Sequence, residues 1–348
     1  MAMMPRFIDG LTRKGVIVRD YYKYKSTFVP TEGGIIILFA CALMITLFPL
    51  LIYLTRIAFS VLDVEWVSEP HLSEINVSVV LVLITYGLFG MMDDYLDISR
   101  PAKAVLPAIF TIPLILSINP DVLYLPMGGR IDLEVAVVGI VTWGALFRFV
   151  FIPVYILVTS NLVNMHSGFN GLATGTSSIV LGTLLIKAHF KSGTTNDLIS
   201  LGAVLGALLA LWWYNRYPAR IFEGNTGALM IGAAIGLVIC LKGFFISGFI
   251  MLLPHTINFL MYVFWRIRRL QYPDSKRYRT VKFGSVRKDG TLDVPNRLTL
   301  KWFFPHNHRM DEKRAVLLMY LLTVICCAVG LFVSGEGMWP TPIMTAGF

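Results

Sequence analysis

Four short polar segments hold the residues of this chain whose types and spacing could do chemistry. In Asp93-Asp94-Tyr95-Leu96-Asp97, three carboxylates end an apolar run, and Arg100 and Lys103 follow. Acids at a helix C-terminus oppose the helix dipole and are costly near a membrane unless a cation or water satisfies them. The pattern suits Mg²⁺ or a phosphate-bearing metal complex; a solvated helix end with balanced charges is the plainer alternative. In Asn161-Leu162-Val163-Asn164-Met165-His166-Ser167-Gly168-Phe169-Asn170-Gly171, carboxamides end another apolar run. They offer neutral oxygens to a cation and donors to phosphate or a base, while the glycines allow close backbone approach. Hydrogen bonding between packed helices would use the same asparagines.

The third segment, Asn215-Arg216-Tyr217-Pro218-Ala219-Arg220-Ile221-Phe222-Glu223-Gly224-Asn225-Thr226, sets two arginines before a Glu-Gly-Asn-Thr turn. Arginine suits phosphate, and Glu223 or Asn225 could complete a metal shell; a basic anchor loop explains the arginines but not the turn. The fourth, Pro305-His306-Asn307-His308-Arg309, has neither a cysteine nor a third histidine to make a zinc site. It reads as a pyrophosphate or sugar contact, or as an exposed basic loop near anionic lipid.

Elements that could position these segments follow from composition. The 348 residues are 56% hydrophobic and only 15% charged, with a net charge of +9. A soluble enzyme needs a charged shell, so this chain reads as an all-α, polytopic membrane helix bundle forming a single integral membrane domain over 1–348. Disordered, collagen-like and disulfide-rich classes are excluded as well. Cys41, Cys240, Cys326 and Cys327 all fall in apolar runs and read as small buried hydrophobes.

Uncharged runs long enough to span occur at 34–54, 75–92, 104–120, 149–165, 171–186, 198–215, 224–241, 243–265 and 315–335, predicting about nine transmembrane helices. The run 135–147 is too short to span and reads as an interfacial or re-entrant piece. Residues 123–133, broken by Pro126, Gly128 and Gly129, predict a small outer β-hairpin. Only Lys242 separates the seventh and eighth runs, which predicts a tight hairpin there. With the N-terminal segment 1–33 inside, alternation leaves 24 of the 30 Lys and Arg residues on the inner face. Fourteen lie in a large basic cytoplasmic loop over 266–314, whose own balance is +9; the first outer loop carries Asp63, Glu65, Glu69 and Glu74. The same alternation puts all four polar segments on that inner face. Together they describe a diphosphate site with Mg²⁺ (or Mn²⁺) at the cytoplasmic surface of the cell membrane, with no nucleic acid partner. Neither a Walker loop nor a Gly-x-Gly-x-x-Gly is present.

Gly90–Pro107, Asn161–Gly175 and Asn215–Gly227, with Val29–Gly34 (VPTEGG) ahead of them, make the chain resemble the polyprenyl-phosphate N-acetylhexosamine-1-phosphate transferase family. The likeness runs from about residue 5 to 335. Without a His-His-His motif, and with a long basic loop, the chain is more similar to the eukaryotic and archaeal branch. The resemblance implies transfer of GlcNAc-1-phosphate from UDP-GlcNAc to a polyprenyl or dolichyl phosphate with release of UMP, the first step of lipid-linked oligosaccharide assembly. It implies Asp93, Asp94 and Lys103 as catalytic. It implies metal binding by Asn164 and Asn225, with Glu223 as a further candidate. It places substrate at Asn170, Gly171, Phe222, His306 and His308, with Phe222 stacking on uracil, and by residue type Asp97, Asn161 and Arg220 are further substrate candidates; a homodimer is common in the family.

Two departures stand out. Family members usually read Gly-Asp-Thr where this chain has Gly224-Asn225-Thr226, which removes a negative charge that Glu223 or Asp97 could restore. Members also generally begin with a spanning helix ahead of the segment resembling 5–34; this sequence shows none there, giving nine spans instead of ten. Competing readings are the same chemistry on another UDP-N-acetylhexosamine for envelope glycan, an intramembrane DDxxD prenyltransferase, and a transporter. The prenyltransferase normally needs a second aspartate-rich motif, which this sequence lacks, and the transporter expects midplane polar residues.

Overall fold

The computed structural model describes residues 3–61, 76–96, 98–192, 196–275, 278, 281, 283–297 and 299–339. Asp97 and the acidic first outer loop, within 62–75, lie outside them. A short helix α1 (Met4–Arg13) leads into an antiparallel hairpin, β1 (Ile17–Asp20) and β2 (Thr27–Pro30), ahead of the first long helix, α2 (Ile35–Val61).

At the centre lies α10 (Gly224–Lys242), buried on all sides. Its sequence explains the position: glycine and alanine alternate with Leu, Ile and Val, so neighbouring backbones can approach at close range. It packs on α3 (Val77–Leu96) and α7 (Ile152–Met165). A Cβ on Gly232 would fall 2.5 Å from the Cα of Ser160, whose hydroxyl donates to the Leu229 carbonyl at 2.9 Å. Gly236, four residues on, meets Thr159 in the same way. Around this axis stand α8 (Leu172–Ser192), α9 (Asn196–Asn215) and α14 (Glu312–Leu331).

The helical bundle is as expected, and the described residues show fewer spans than the nine expected. Six of the described helices are long and apolar enough to cross a membrane, or seven with a bent pair taken as one. The run 104–120 splits into α4 (Arg100–Ile109) and α5 (Ile112–Ser117), each too short to span at about 1.5 Å per residue. Pro113, at the start of α5, cannot continue the ladder of amide donors. The run 171–186 does form a helix, α8. Its Thr174, Thr176 and Ser177 are buried, and this polar content, with Lys187 and His189, dilutes its hydropathy. The run 243–265 breaks into α11 (Phe245–Met251) and α12 (Leu253–Gln271), bent by 68°, with Pro254 in the first turn after the break. Gly243, at φ +69°, makes the tight turn from α10 into α11.

The outer hairpin forms as expected, from β3 (Val122–Tyr124) and β4 (Arg130–Asp132), and gains a third strand that patterning did not reveal, β9 (Gly337–Trp339). Residues 135–147, expected as an interfacial or re-entrant piece, include strands. They form a second hairpin, β5 (Ala136–Val138) and β6 (Val141–Thr142), before α6 (Trp143–Leu146) runs through one π turn into α7. Nor is 266–314 one open loop: α12 extends to Gln271, a small hairpin β7 (Ser285–Val286) and β8 (Leu292–Asp293) follows, and α13 (Leu300–Asn307) packs back on the bundle.

Candidate active site

The C-terminal ends of α3 and α7 meet the N-terminal end of α10 around a cavity of about 570 Å³. Asp94, at the end of α3, accepts through Oδ2 from the amides of Asn225 (2.7 Å) and Thr226 (3.3 Å), the otherwise unpaired donors of the first turn of α10. Asp93 is buried and held on three sides. Lys103 Nζ lies 2.7 Å from Oδ1, the Ile98 amide donates to the same oxygen at 3.1 Å, and Asn225 Nδ2 donates to Oδ2 at 3.0 Å. This close approach depends on Gly90: a Cβ there would fall 2.5 Å from the Asn225 carbonyl.

A second clasp comes from the VPTEGG stretch. The Phe222 amide donates to the Pro30 carbonyl, and the Gly33 and Gly34 amides donate to the Phe222 and Glu223 carbonyls, at 2.7–2.8 Å. The turn carries Glu32 at φ +70°, buried, accepting from the Thr226 hydroxyl at 2.9 Å and hydrogen-bonded to Asp94. Burial, and then the charge of Asp94, push the Glu32 carboxyl up to about 8. Burial likewise raises Glu223 above the ordinary carboxylate range. Glu32 belongs to a motif that the sequence displays, but nothing in its spacing announced that it would reach the acid pair across 62 positions.

On the opposite wall, Asn164 and the turn through Ser167, Gly168 and Phe169 face the acids. Gly168, at φ +100°, lets the turn lie against Lys301, whose Nζ donates to the Ser167 carbonyl at 2.6 Å. Desolvation lowers Lys301 to about 8. Lys301 was not expected at the site; its one trace in the sequence is a lone cation in the apolar run Leu300-Lys301-Trp302-Phe303-Phe304. The rim is supplied by β1 and its turn, where Tyr21 stacks on Phe283 at 3.8 Å between ring centres and Arg19 lies over Tyr21.

Of the residues singled out in the sequence, Asp94, Asn164, Phe222, Glu223 and Asn225 line this one cavity, and Asp93 and Lys103 join it through Asn225. Others lie elsewhere. Asn161 donates to the Leu157 carbonyl of its own helix. Asn170 is buried in internal bonds: Nδ2 to Asp20, Oδ1 from Lys23 and the Ala219 amide, and its own amide to Glu312. That network, which also holds Lys23 to Glu312 at 2.8 Å, fixes the turn ending in Gly171. Arg220 faces a second cavity. His306 and His308 are exposed at the far end of α13 from Lys301 and do not line the first cavity.

Among the described residues no three His, Cys, Asp or Glu side chains gather closely enough to hold a metal unaided. The donor set nevertheless suits Mg²⁺, which binds through one or two carboxylates plus substrate phosphates. Asp94 lines the cavity with Asn164 and Asn225, whose carboxamide oxygens add neutral donors, and Glu32, raised chiefly by burial, lies against Asp94.

Residues 76–243 match the family described as glycosyl transferase family 4. A protein of Sulfolobus acidocaldarius, provisionally named a UDP-N-acetylglucosamine–dolichyl-phosphate N-acetylglucosaminephosphotransferase, is 27% identical over 301 residues, 84% of this chain and 81% of its own. One of the same provisional name from Saccharolobus solfataricus is 28% identical over 264 residues, 74% of each chain. A phospho-N-acetylmuramoyl-pentapeptide-transferase of Syntrophus aciditrophicus is 30% identical over 231 residues, 60% of this chain and 57% of its own.

Proposed function

From the match of residues 76–243 to glycosyl transferase family 4 and the likeness to the archaeal relatives, we propose that the chain is a member of that family and transfers GlcNAc-1-phosphate from UDP-GlcNAc to a polyprenyl phosphate of dolichyl type. An oxygen of the lipid phosphate bonds to the sugar-bearing phosphorus; the bond from that phosphorus to the bridging oxygen breaks, and the bridging oxygen leaves with UMP. The observation that carries this reading is the seating of Asp94 on the N-terminus of α10 beside a cavity of about 570 Å³, a volume suited to a nucleotide sugar.

The lipid phosphate is largely a dianion near neutrality, its second pKa being about 6, so no strong base is required. Asp94, held by the α10 amides and by Glu32 and lining the cavity, orients the acceptor. Asp93 does not reach substrate: engaged by Lys103, Asn225 and the Ile98 amide, it holds those groups in place. Phe222 offers an aromatic wall for the base, and the cation of Lys301 lies behind the Ser167–Gly168 turn where diphosphate charge would collect. Mg²⁺, held by Asp94, Asn164 and Asn225 with Glu32 beside them, would neutralise the diphosphate. Asn225 in place of the family's aspartate leaves Asp94 as the carboxylate seated at this turn, while Glu32, pushed up to about 8, holds its proton at pH 7 and supplies no charge. The basic residues gathered in 1–33 and 266–314 support a cytoplasmic orientation for this face of the bundle.

The match to a pentapeptide transferase supports the same bond chemistry with another UDP-N-acetylhexosamine as a second reading. UDP-GlcNAc carrying ³²P at the sugar-bearing phosphorus tests the transfer itself. The label is expected in the organic-soluble lipid; label retained by the nucleotide would contradict the proposal.

A further inference from the structure

A second cavity, of about 530 Å³, opens on the same face behind the Asn170 turn. It lies between the C-terminal end of α9 and the N-terminal end of α14, with the 216–220 loop as its outer lip. Its cations are Arg216, Arg220 and Lys313, and among the described residues no carboxylate lines it. Two of the cations are held by rings: the Arg216 guanidinium lies 3.5 Å from the ring centre of Trp213, and that of Arg220 lies 4.4 Å from the ring centre of Tyr214. Stacking of this kind fixes a guanidinium while its edge keeps donors for an oxyanion. The inner wall is polar and rigid, with Trp212 Nε1 donating to the Tyr320 hydroxyl at 2.9 Å and Tyr320 donating in turn to the Gly171 carbonyl.

Away from the polar face the lining turns apolar, through Val316 and Leu317. One helical turn deeper, Leu209 on α9 and Leu321 on α14 are exposed on the flank of the bundle. The order is thus cations, then aromatic rings, then an aliphatic strip running down two spanning helices. A phosphodiester headgroup followed by acyl chains has the matching order, and aromatic residues of this kind sit at headgroup level. A nucleotide would leave the aliphatic strip uncovered.

We propose that this cavity is a binding site for an anionic phospholipid, separate from the site of transfer. The headgroup phosphate would meet Arg216, Arg220 and Lys313, and the acyl chains would lie along Leu317 and Leu321. Asn170 forms part of the wall, and its Oδ1 accepts the Ala219 amide of the lip at 2.8 Å, so an occupied site bears on the turn that, with Asn164, lines the catalytic cavity.

The test reconstitutes the full chain in phosphatidylcholine nanodiscs containing phosphatidylglycerol, extracts it into detergent, and counts retained lipid by native mass spectrometry. One phosphatidylglycerol per chain is expected in preference to phosphatidylcholine. Lys313→Glu, a change at an exposed position that the fold tolerates, and the pair Arg216→Gln with Lys313→Gln should each reduce retention by at least about tenfold, each basic group near an anionic headgroup being worth about a factor of five. Asp94→Asn, in the first cavity, should leave retention unchanged. Equal retention of the two lipids, or unaltered retention in both basic variants, would overturn the proposal. So would displacement of phosphatidylglycerol by inorganic phosphate at millimolar concentration, since the site would then recognise a free anion.

Discussion

Asp93 and Asp94 are neighbours in sequence and are held in opposite ways. Asp93 is closed in by a lysine, an amide and a carboxamide, whereas Asp94 caps a helix and still faces the cavity. Their replacement should therefore divide by type. Asp94→Asn is expected to lower kcat by about 10²–10³ while the protein still extracts as a folded species. Asp93→Asn should lower the melting temperature as well, because the Lys103 cation loses its buried partner; equal stability of the two variants would contradict the assignment. Lys301 gives a pH prediction. Its proton affinity is lower in the folded chain than in the unfolded one, so it is charged at pH 7 and loses its charge as pH rises through about 8. The fold gains from that loss, since a desolvated charge disappears, while diphosphate binding suffers. KM for the nucleotide sugar should rise between pH 7 and 9, and Lys301→Arg, which keeps its charge, should flatten the profile. A profile unchanged by the arginine would remove Lys301 from the site.

At the scale of elements, the site exists because backbones approach without side chains between them. A Cβ at Gly34 would fall 2.0 Å from the Gly227 amide nitrogen, and one at Gly90 would fall 2.5 Å from the Asn225 carbonyl. Gly90→Ala is thus expected to push α3 off the end of α10, at a cost of about 1–3 kcal/mol and most of the activity. Thermal unfolding and turnover of that variant, against Gly10→Ala, which meets nothing nearby, measure it. These contacts also mark what the sequence could and could not display. The ends of α3, α7 and α10 were legible because polar residues interrupt apolar runs there, and five of the singled-out residues do share one cavity. Asn170, Arg220, His306 and His308 were assigned from the resemblance or from chemical type, neither of which reports whether an amide is spent on Asp20 and Lys23 or whether a histidine sits at the far end of α13. Glu32 and Lys301 reach the site only through tertiary folding of segments remote from it. The described residues show fewer spans for a related reason: reading between charges cannot see Pro113 and Pro254 breaking helices, or a serine- and threonine-rich helix buried inside the bundle.

For the molecule as a whole, a net charge of +9 with only 15% charged residues needed a location before it could carry meaning. The basic segments 1–33 and 266–314 supply Arg19, Lys23 and Lys301 around the first cavity, and Arg216, Arg220 and Lys313 line the second. The surplus thus marks one face, where an anionic nucleotide and anionic lipids would converge, and steering by that face should weaken with ionic strength. The most direct test of the central claim is release of UMP from UDP-GlcNAc by the purified full chain, with polyprenyl phosphate and Mg²⁺ each supplied or withheld. UMP is expected only when donor, lipid phosphate and Mg²⁺ are all present; no UMP from folded protein under those conditions, or equal release without the lipid phosphate, would contradict it.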